Sequence, residues 1–123
     1  MYPADLKYTN DHEWIRVTGE QGQMGITDYA QKQLGDIVYV ELPEVGRTVS
    51  RGEAIGTIES VKAVSEVFAP VSGEVVEVNA SLKDTPEAIN SDPHGAWMVR
   101  IRLADPGEAA GLLDNTQYAE VVK

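Results

Sequence analysis

The chain has 123 residues, 42% hydrophobic and 24% charged, a composition that favours one folded domain over disorder. Its net charge of −10 argues against binding to nucleic acid or to an anionic membrane surface. There is no cysteine, so disulfides, thiolate metal sites and thiol catalysis are excluded, and any redox chemistry requires an attached group.

Short runs rich in valine, isoleucine and threonine, separated by eleven glycines and six prolines, predict an all-β fold with frequent turns. The first part of the chain is predicted to form strands at 13–17 and 23–26, followed by a short helix at 28–34. Thr27 is the expected N-cap of this helix, and Gly35 is expected to end it.

The remaining strands are predicted at 37–42, 54–59, 64–68, 74–79 and 97–103. The last strand has the clearest alternation, which predicts one apolar face with Trp97, Val99, Ile101 and Leu103 and one polar face with Met98, Arg100 and Arg102.

A C-terminal helical region is predicted after residue 104. Asp105 is the expected N-cap and Pro106 the expected first helical residue. Gly111 and the pair 114–115 are expected to divide the region in two. Its apolar residues are expected to cover the end of the sheet: Leu112, Leu113, Tyr118, Val121 and Val122.

Lys62 lies in the short segment between two predicted strands, so we expect it near the tip of a hairpin. The segments that begin Gly52-Glu53 and Gly73-Glu74 resemble each other weakly, which suggests a quasi-symmetric sandwich of two sheets. The residues alone leave two interpretations of Lys62 open. It is either an ordinary solvated lysine or a primary amine to which another enzyme attaches a group.

The segment 59–66, Glu-Ser-Val-Lys-Ala-Val-Ser-Glu, followed by 70–75, resembles the lipoyl-lysine motif of glycine cleavage system H proteins. Val61 and Ala63 beside the lysine differ from the methionines of biotin carriers and from the acidic neighbour typical of 2-oxoacid dehydrogenase lipoyl domains. Further blocks, which extend the similarity over about residues 6 to 103, follow in the family's order at 8–14, 25–38, 40–46, 90–93 and 97–99.

This resemblance implies a barrel-sandwich hybrid, the flattened β-sandwich of lipoyl and biotinyl carriers, with a short helix near 28–34 and C-terminal helical segments. It implies a single lipoyl-carrier domain over 1–123, with its core at about 6–103 and a helical cover at about 105–122. It also implies lipoate as a covalent cofactor, joined by an amide to Lys62, with neither a catalytic residue nor a metal site in the protein.

The implied function is that of a non-catalytic shuttle. The lipoyl arm accepts the aminomethyl group from the pyridoxal-phosphate glycine decarboxylase (P protein) and presents it to the tetrahydrofolate-dependent aminomethyltransferase (T protein). Dihydrolipoamide dehydrogenase (L protein) then reoxidises the arm. A lipoate ligase or lipoyltransferase is the implied enzyme that attaches the cofactor.

The resemblance also implies which residues form the cleft and recognition surface of the arm: Glu13, Leu34, Glu59, Ala63 and Glu66. Of these, Glu13 and Glu66 are the carboxylates expected to face the ammonium group of the loaded arm. Asp11 and Gln33 depart from the serine and histidine of some family members, so the strength or pH dependence of arm binding is expected to differ here.

The two histidines are not expected to form a catalytic or metal site. His12 is expected to be structural or at the cleft rim, on the opposite side of a strand from Glu13. His94 is expected to be a solvent-facing turn residue. The larger aromatic residues are expected to pack in the core or over the sheets: Trp14, Tyr29, Tyr39 and Trp97.

A second function stays open at this point, because an H-like protein that relays lipoate to other proteins needs the same lysine on the same fold. An autonomous enzyme is disfavoured, since the sequence has no nucleophile motif, metal cluster or phosphate-binding loop. With no apolar run long enough to cross a bilayer and no targeting segment at 1–7, we expect a cytoplasmic monomer, or a mitochondrial matrix protein only if a transit peptide has been removed.

Overall fold

The computed structural model describes residues 2–123, in which antiparallel strands form two sheets. In chain order the strands are β1 (Lys7–Tyr8), β2 (Glu13–Thr18), β3 (Gln21–Ile26), β4 (Ile37–Glu41), β5 (Thr48–Val49), β6 (Ala54–Ser60), β7 (Val64–Phe68), β8 (Gly73–Val78) and β9 (Val99–Leu103). The α-helices are α1 (Asp28–Leu34), α2 (Ser81–Asp84), α3 (Ala88–Ser91) and α4 (Asn115–Val121), and a 3-10 helix spans Pro106–Gly111.

The larger sheet has the strand order β1-β2-β3-β9-β8-β5, and the smaller one has the order β4-β6-β7. In the part of the chain that the structure describes, the two sheets are not closed into a barrel. The strands β6 and β8, which carry the two similar segments, belong to different sheets. The predicted two-sheet sandwich with few, short helices is therefore confirmed.

The core lies between the sheets and is built from alternate residues of their strands. Fully buried side chains include Ile15 and Met24 from neighbouring strands of the larger sheet and Val40 and Ile58 from the smaller one. Each such side chain contributes about 1.5–3 kcal/mol relative to an exposed one.

A second apolar cluster, of Leu6, Tyr8, Trp14 and Tyr118, covers the other face of the larger sheet near β1. Trp14 and Ile15 belong to different clusters because successive strand residues point to opposite faces. Tyr118 of α4 stacks on Tyr8 with ring centroids 4.7 Å apart. The C-terminal helix thus covers the sheet as expected, although Val121 stays exposed.

The residues predicted to cap or end the helices are confirmed in both helical regions. Thr27 caps α1 by accepting a hydrogen bond from Ala30 N–H, and Gly35 ends it at φ 81°. Asp105 precedes the 3-10 helix and accepts a hydrogen bond from Gly107 N–H, while Asp114 begins α4 with a capping box. Gly111 and Asp114 therefore divide the region as predicted.

The differences from prediction concern short elements and strand boundaries, among them the start of β3 at Gln21 rather than at residue 23. The two-residue strands β1 and β5 and the four-residue helices α2 and α3 were not predicted, since each is too short to show a periodicity. The last strand begins at Val99 rather than at residue 97. Met98 therefore does not share a polar face with the arginines: it is buried in the core.

Among residues 2–123, no helix is long and apolar enough to cross a membrane.

Replacing Tyr118 by phenylalanine tests how firmly α4 is attached. The Tyr118 hydroxyl lies 2.7 Å from Thr27 Oγ1 and 2.8 Å from His12 Nδ1, and both Tyr118 and Thr27 are fully buried. Losing this hydroxyl leaves buried polar atoms unpaired, so the free energy of unfolding should fall by about 1–3 kcal/mol in urea denaturation. Tyr39→Phe, at an exposed tyrosine, is the control and should leave it unchanged.

Candidate functional site

Lys62 lies where prediction placed it, exposed in the turn that joins β6 to β7. Ser60, which is only 6% exposed, organises this turn. Its hydroxyl accepts hydrogen bonds from the backbone N–H groups of Lys62 at 3.3 Å and Ala63 at 3.1 Å, and Ser60 N–H donates to Ala63 O at 2.8 Å. Sequence analysis did not identify Ser60, although a serine that bonds the backbone two and three residues ahead is typical of turns.

A cleft of about 170 Å³ lies between α1 and β7, next to this hairpin. Its walls combine apolar side chains, among them Ile26, Ala30 and Leu34, with the acidic residues Glu13 and Glu66. The floor is formed by the core residues Ile58 and Val67. The cleft is therefore an apolar trough with carboxylates, next to the hairpin.

The free edge of β7 runs along this cleft from the hairpin to Glu13. In the smaller sheet β7 pairs only with β6, and at its far end Phe68 N–H donates a hydrogen bond to Glu13 Oε2 at 3.3 Å. The four residue steps from Val64 to Phe68 span about 13 Å at the rise of a strand. The lipoyl-lysine side chain that the resemblance implies would reach roughly 14 Å when summed from standard bond lengths. The carboxylate thus lies about one arm length from the tip.

Glu13 is a buried carboxyl group, 2% exposed. Thr9 donates its hydroxyl proton to Glu13 Oε1 at 2.6 Å, and the same hydroxyl accepts from Glu13 N–H at 3.1 Å. Burial raises the pKa of Glu13 from 4.5 to about 7; the hydrogen bonds from Thr9 and Phe68 oppose this rise and the charge of Asp11 adds to it. Glu13 can therefore take up or release a proton near neutral pH.

His12 and Glu13 line the same cleft, so the expectation that they would not share a site is wrong, although their side chains reach different neighbours, Tyr118 and Phe68. The physical reason is that β2 begins only at Glu13, and His12 has a left-handed φ of 69° that breaks the alternation. Its Nδ1 is 2.8 Å from the Tyr118 hydroxyl and its ring centroid is 4.6 Å from that of Tyr29. Burial lowers the pKa of His12. These contacts fit the predicted role at the cleft rim.

His94 is half-buried and not the solvent-facing turn residue that was expected. Its Nε2 accepts a hydrogen bond from Asp28 N–H, at the start of α1, at 3.2 Å. Its ring packs on that of Tyr2 at 5.8 Å, and burial lowers its pKa. His94 therefore fixes the first turn of α1, a role that has no local sequence signal because the two residues are 66 positions apart.

The structure separates the predicted cleft residues into two groups. Glu13, Leu34 and Glu66 line the cleft, and so do the departing residues Asp11 and Gln33. Glu59 and Ala63 instead belong to the hairpin. Glu59 is exposed and lies opposite Tyr39 and Val64 in the ladder, while Ala63 is part of the turn.

The four aromatic residues expected in the core or over the sheets differ in their burial and location. Trp14 is buried in the core as expected, whereas Tyr39 is 51% exposed. Tyr29 lines the cleft, and Trp97 lies half-buried under the Arg100 guanidinium at 5.2 Å. Residues 2–123 contain no group of three or more potential metal ligands.

An exposed lysine at the tip of a hairpin thus stands beside an apolar cleft in a two-sheet sandwich. The sequence model of the glycine cleavage H-protein family matches residues 6–123. The chain is 54% identical over 122 residues to the glycine cleavage system H protein of Acidobacterium capsulatum, covering 99% of this chain and 95% of that protein. It is 52% identical over 122 residues to that of Bacteroides thetaiotaomicron, covering 98% and 97%.

A solved structure agrees with these sequence relatives. The crystal structure of a glycine cleavage system H protein from Mycobacterium marinum matches with a TM-score of 0.89 and 44% identity, over 97% of each chain. The chain belongs to the glycine cleavage H-protein family. The resemblance found in the sequence is thereby confirmed, and with it the function of a lipoyl-carrying shuttle in glycine cleavage.

The raised pKa of Glu13 predicts a specific pH dependence of stability. The folded protein binds the Glu13 proton more tightly than the unfolded chain does. The stabilisation that protonated Glu13 gives to the folded state is therefore fully present below about pH 4.5 and is lost as the pH rises through about 7. Glu13→Gln removes the effect. Relative to the parent, the variant's free energy of unfolding should rise by about 3 kcal/mol between about pH 4 and pH 8.

Urea denaturation across this pH range measures the difference. Gln33→Ala, which changes an exposed, uncharged residue of the same cleft, is the control, and its profile should run parallel to that of the parent. Parallel profiles for the Glu13 variant and the parent would show that Glu13 does not titrate in this range.

Proposed function

We propose that this chain is a non-catalytic carrier domain, residues 1–123, with lipoate joined by an amide to the Nζ atom of Lys62. One observation carries the proposal. An exposed lysine stands at the tip of an internally hydrogen-bonded hairpin, one arm length from a buried carboxyl group. The names of the relatives support a role in glycine cleavage over a relay of lipoate to other proteins.

The residues present fit the proposed cofactor. The amine of Lys62 is accessible to an acylating enzyme, and Val61 and Val64 beside it are 68% and 67% exposed. The cleft that begins at Leu34 has apolar walls suited to an aliphatic chain, and its volume of about 170 Å³ is that of a narrow trough. Of its two glutamates, Glu13 is buried and Glu66 is exposed.

When bound, lipoate would supply a dithiolane, which this cysteine-free chain lacks, to accept the aminomethyl group and two electrons. Glu13 and Glu66 would orient the cationic end of the cargo, and the apolar walls would exclude the water that hydrolyses it. The burial that raises the pKa of Glu13 also strengthens its attraction to a cation, because little water competes for the carboxylate.

The proposed partners are a pyridoxal-phosphate glycine decarboxylase, an aminomethyltransferase, dihydrolipoamide dehydrogenase and the ligase or transferase that attaches lipoate. The net charge of −10 suits partner surfaces with basic rims, which would increase the rate of encounter. We place the carrier in the cytoplasm, as a monomer that meets each enzyme in turn.

Lipoylation should occur at Lys62 alone. The protein is co-expressed with a lipoate ligase and its intact mass is measured, and one lipoyl addition is expected. Lys62→Arg should abolish the addition, whereas Lys83→Arg, at an exposed lysine of α2, should retain it. No addition to the folded parent, or an addition that survives in Lys62→Arg, would disprove the assignment.

Glu13 should protect the loaded carrier from hydrolysis. In Glu13→Gln, release of ammonia from the loaded carrier is expected to be about tenfold faster, since a charge-assisted hydrogen bond contributes about 1.5–3 kcal/mol. Lipoylation of this variant, followed by intact mass, should match the parent because Glu13 is remote from the hairpin tip. An unchanged rate of ammonia release would remove Glu13 from the protective role.

A further inference from the structure

The side chain of Lys62 rests on a turn that follows α1. Val61 N–H donates a hydrogen bond to Asp36 O at 3.0 Å, which ties the hairpin tip to this turn. A Cβ atom placed on Gly35 would lie 3.3 Å from Lys62 Cε and 3.9 Å from its Nζ, so the lysine side chain passes directly over the glycine. The segment 35–37 thus lies directly beneath the Lys62 side chain and is called its support below.

Apolar packing holds only one end of this support, where Ile37 is 3% exposed and belongs to the core. The helix α1 has no fully buried residue, and Asp36 is exposed. Gly35 adopts φ 81° and ψ −156°, a conformation essentially restricted to glycine, which on its own gives the backbone several alternatives. The direction of the Asp36 carbonyl, which receives Val61 N–H, therefore depends on other contacts.

Besides the ladder position of Ile37 opposite Ser60, Asn90 of α3 supplies such contacts through one side chain. Its Oδ1 accepts a hydrogen bond from Ile37 N–H at 2.9 Å. Its Nδ2 donates to Gly35 O and to Gln31 Oε1, both at 2.9 Å. The amide thus holds the backbone on both sides of Asp36 and joins it to the last turn of α1.

We infer that Asn90 is a positioning residue for Lys62. By fixing residues 35 and 37, Asn90 orients the Asp36 carbonyl toward Val61 N–H. It also keeps Gly35 beneath the aliphatic part of the Lys62 side chain. Asn90 thereby sets the direction in which the amine is presented to the enzyme that acylates it. The inference rests on the proposed attachment of lipoate to Lys62, and Asn90 acts without touching that group.

Asn79 provides a matched control. Its Nδ2 donates to Trp97 O at 2.9 Å and its Oδ1 accepts from the Ser81 hydroxyl at 2.7 Å, so it also anchors a loop through both amide atoms. None of its contacts involves α1 or the hairpin. A purely structural role for Asn90 would make the Asn90→Ala and Asn79→Ala variants behave alike once their stabilities are taken into account.

The experiment measures two properties of the full chain without lipoate: hydrogen exchange at the Val61 amide by NMR, and the kinetics of acylation by a lipoate ligase with lipoate and ATP. In Asn90→Ala we expect Val61 to exchange about tenfold faster than the parent, measured relative to amides of the core strands. The kcat/KM for acylation should fall about three- to tenfold, mainly through KM. Asn79→Ala should match the parent in both.

Asn90→Asp serves as the second variant, in case Asn90→Ala does not fold. It keeps the acceptor for Ile37 N–H but loses the donor to Gly35 O, so Val61 should again exchange faster than in the parent. Parent-like Val61 exchange and parent-like KM in the folded Asn90 variants would overturn the inference. If the parent itself is not acylated, the proposed function fails, and the exchange of Val61 alone then decides whether Asn90 positions the tip.

Discussion

The contact on which the site depends is the one between the Glu13 carboxyl group and the backbone of Phe68. Glu13 begins β2 of the larger sheet and Phe68 ends β7 of the smaller one, so this hydrogen bond joins the two sheets at the end of the cleft. A carboxyl group is costly to bury, and here Thr9 and Phe68 compensate for only part of that cost, which is why the pKa of Glu13 stays high. The Glu13 carboxyl group thus lies at the end of the cleft, where it can take up or release a proton.

The other wall of the cleft, α1, is placed by polar contacts at its ends together with Ala30 and Leu34, which pack against the core. Thr27 and Asp28 at its start are bonded to Tyr118 and His94. Residues at its end are bonded to Asn90. Because hydrogen bonds have defined directions, they fix the rotation of a short helix that apolar contacts alone would leave variable. The cleft is therefore formed by residues between 11 and 67 and held in shape by contacts from residues between 90 and 118.

The strands, the α1 boundaries and the Lys62 hairpin could be predicted because their signals are local: alternation, a threonine cap, a glycine end and a motif around one lysine. The residues that shape the site could not be found in this way. Asn90 and Ile37 are 53 positions apart and His12 and Tyr118 are 106 apart, so nothing nearby in the sequence indicates their contacts. His12 illustrates the same limit, since an alternation argument failed where one residue has a left-handed backbone.

The position of Tyr118 late in the chain also affects how the protein matures. Synthesis proceeds from the amino terminus, and the hairpin and both walls of the cleft are complete in sequence by Phe68. Tyr118, whose hydroxyl contacts both Thr27 and His12, leaves the ribosome after all of them. A nascent chain therefore displays the lysine before the far end of the cleft has its final shape, so a shaped cleft is a property of the finished chain.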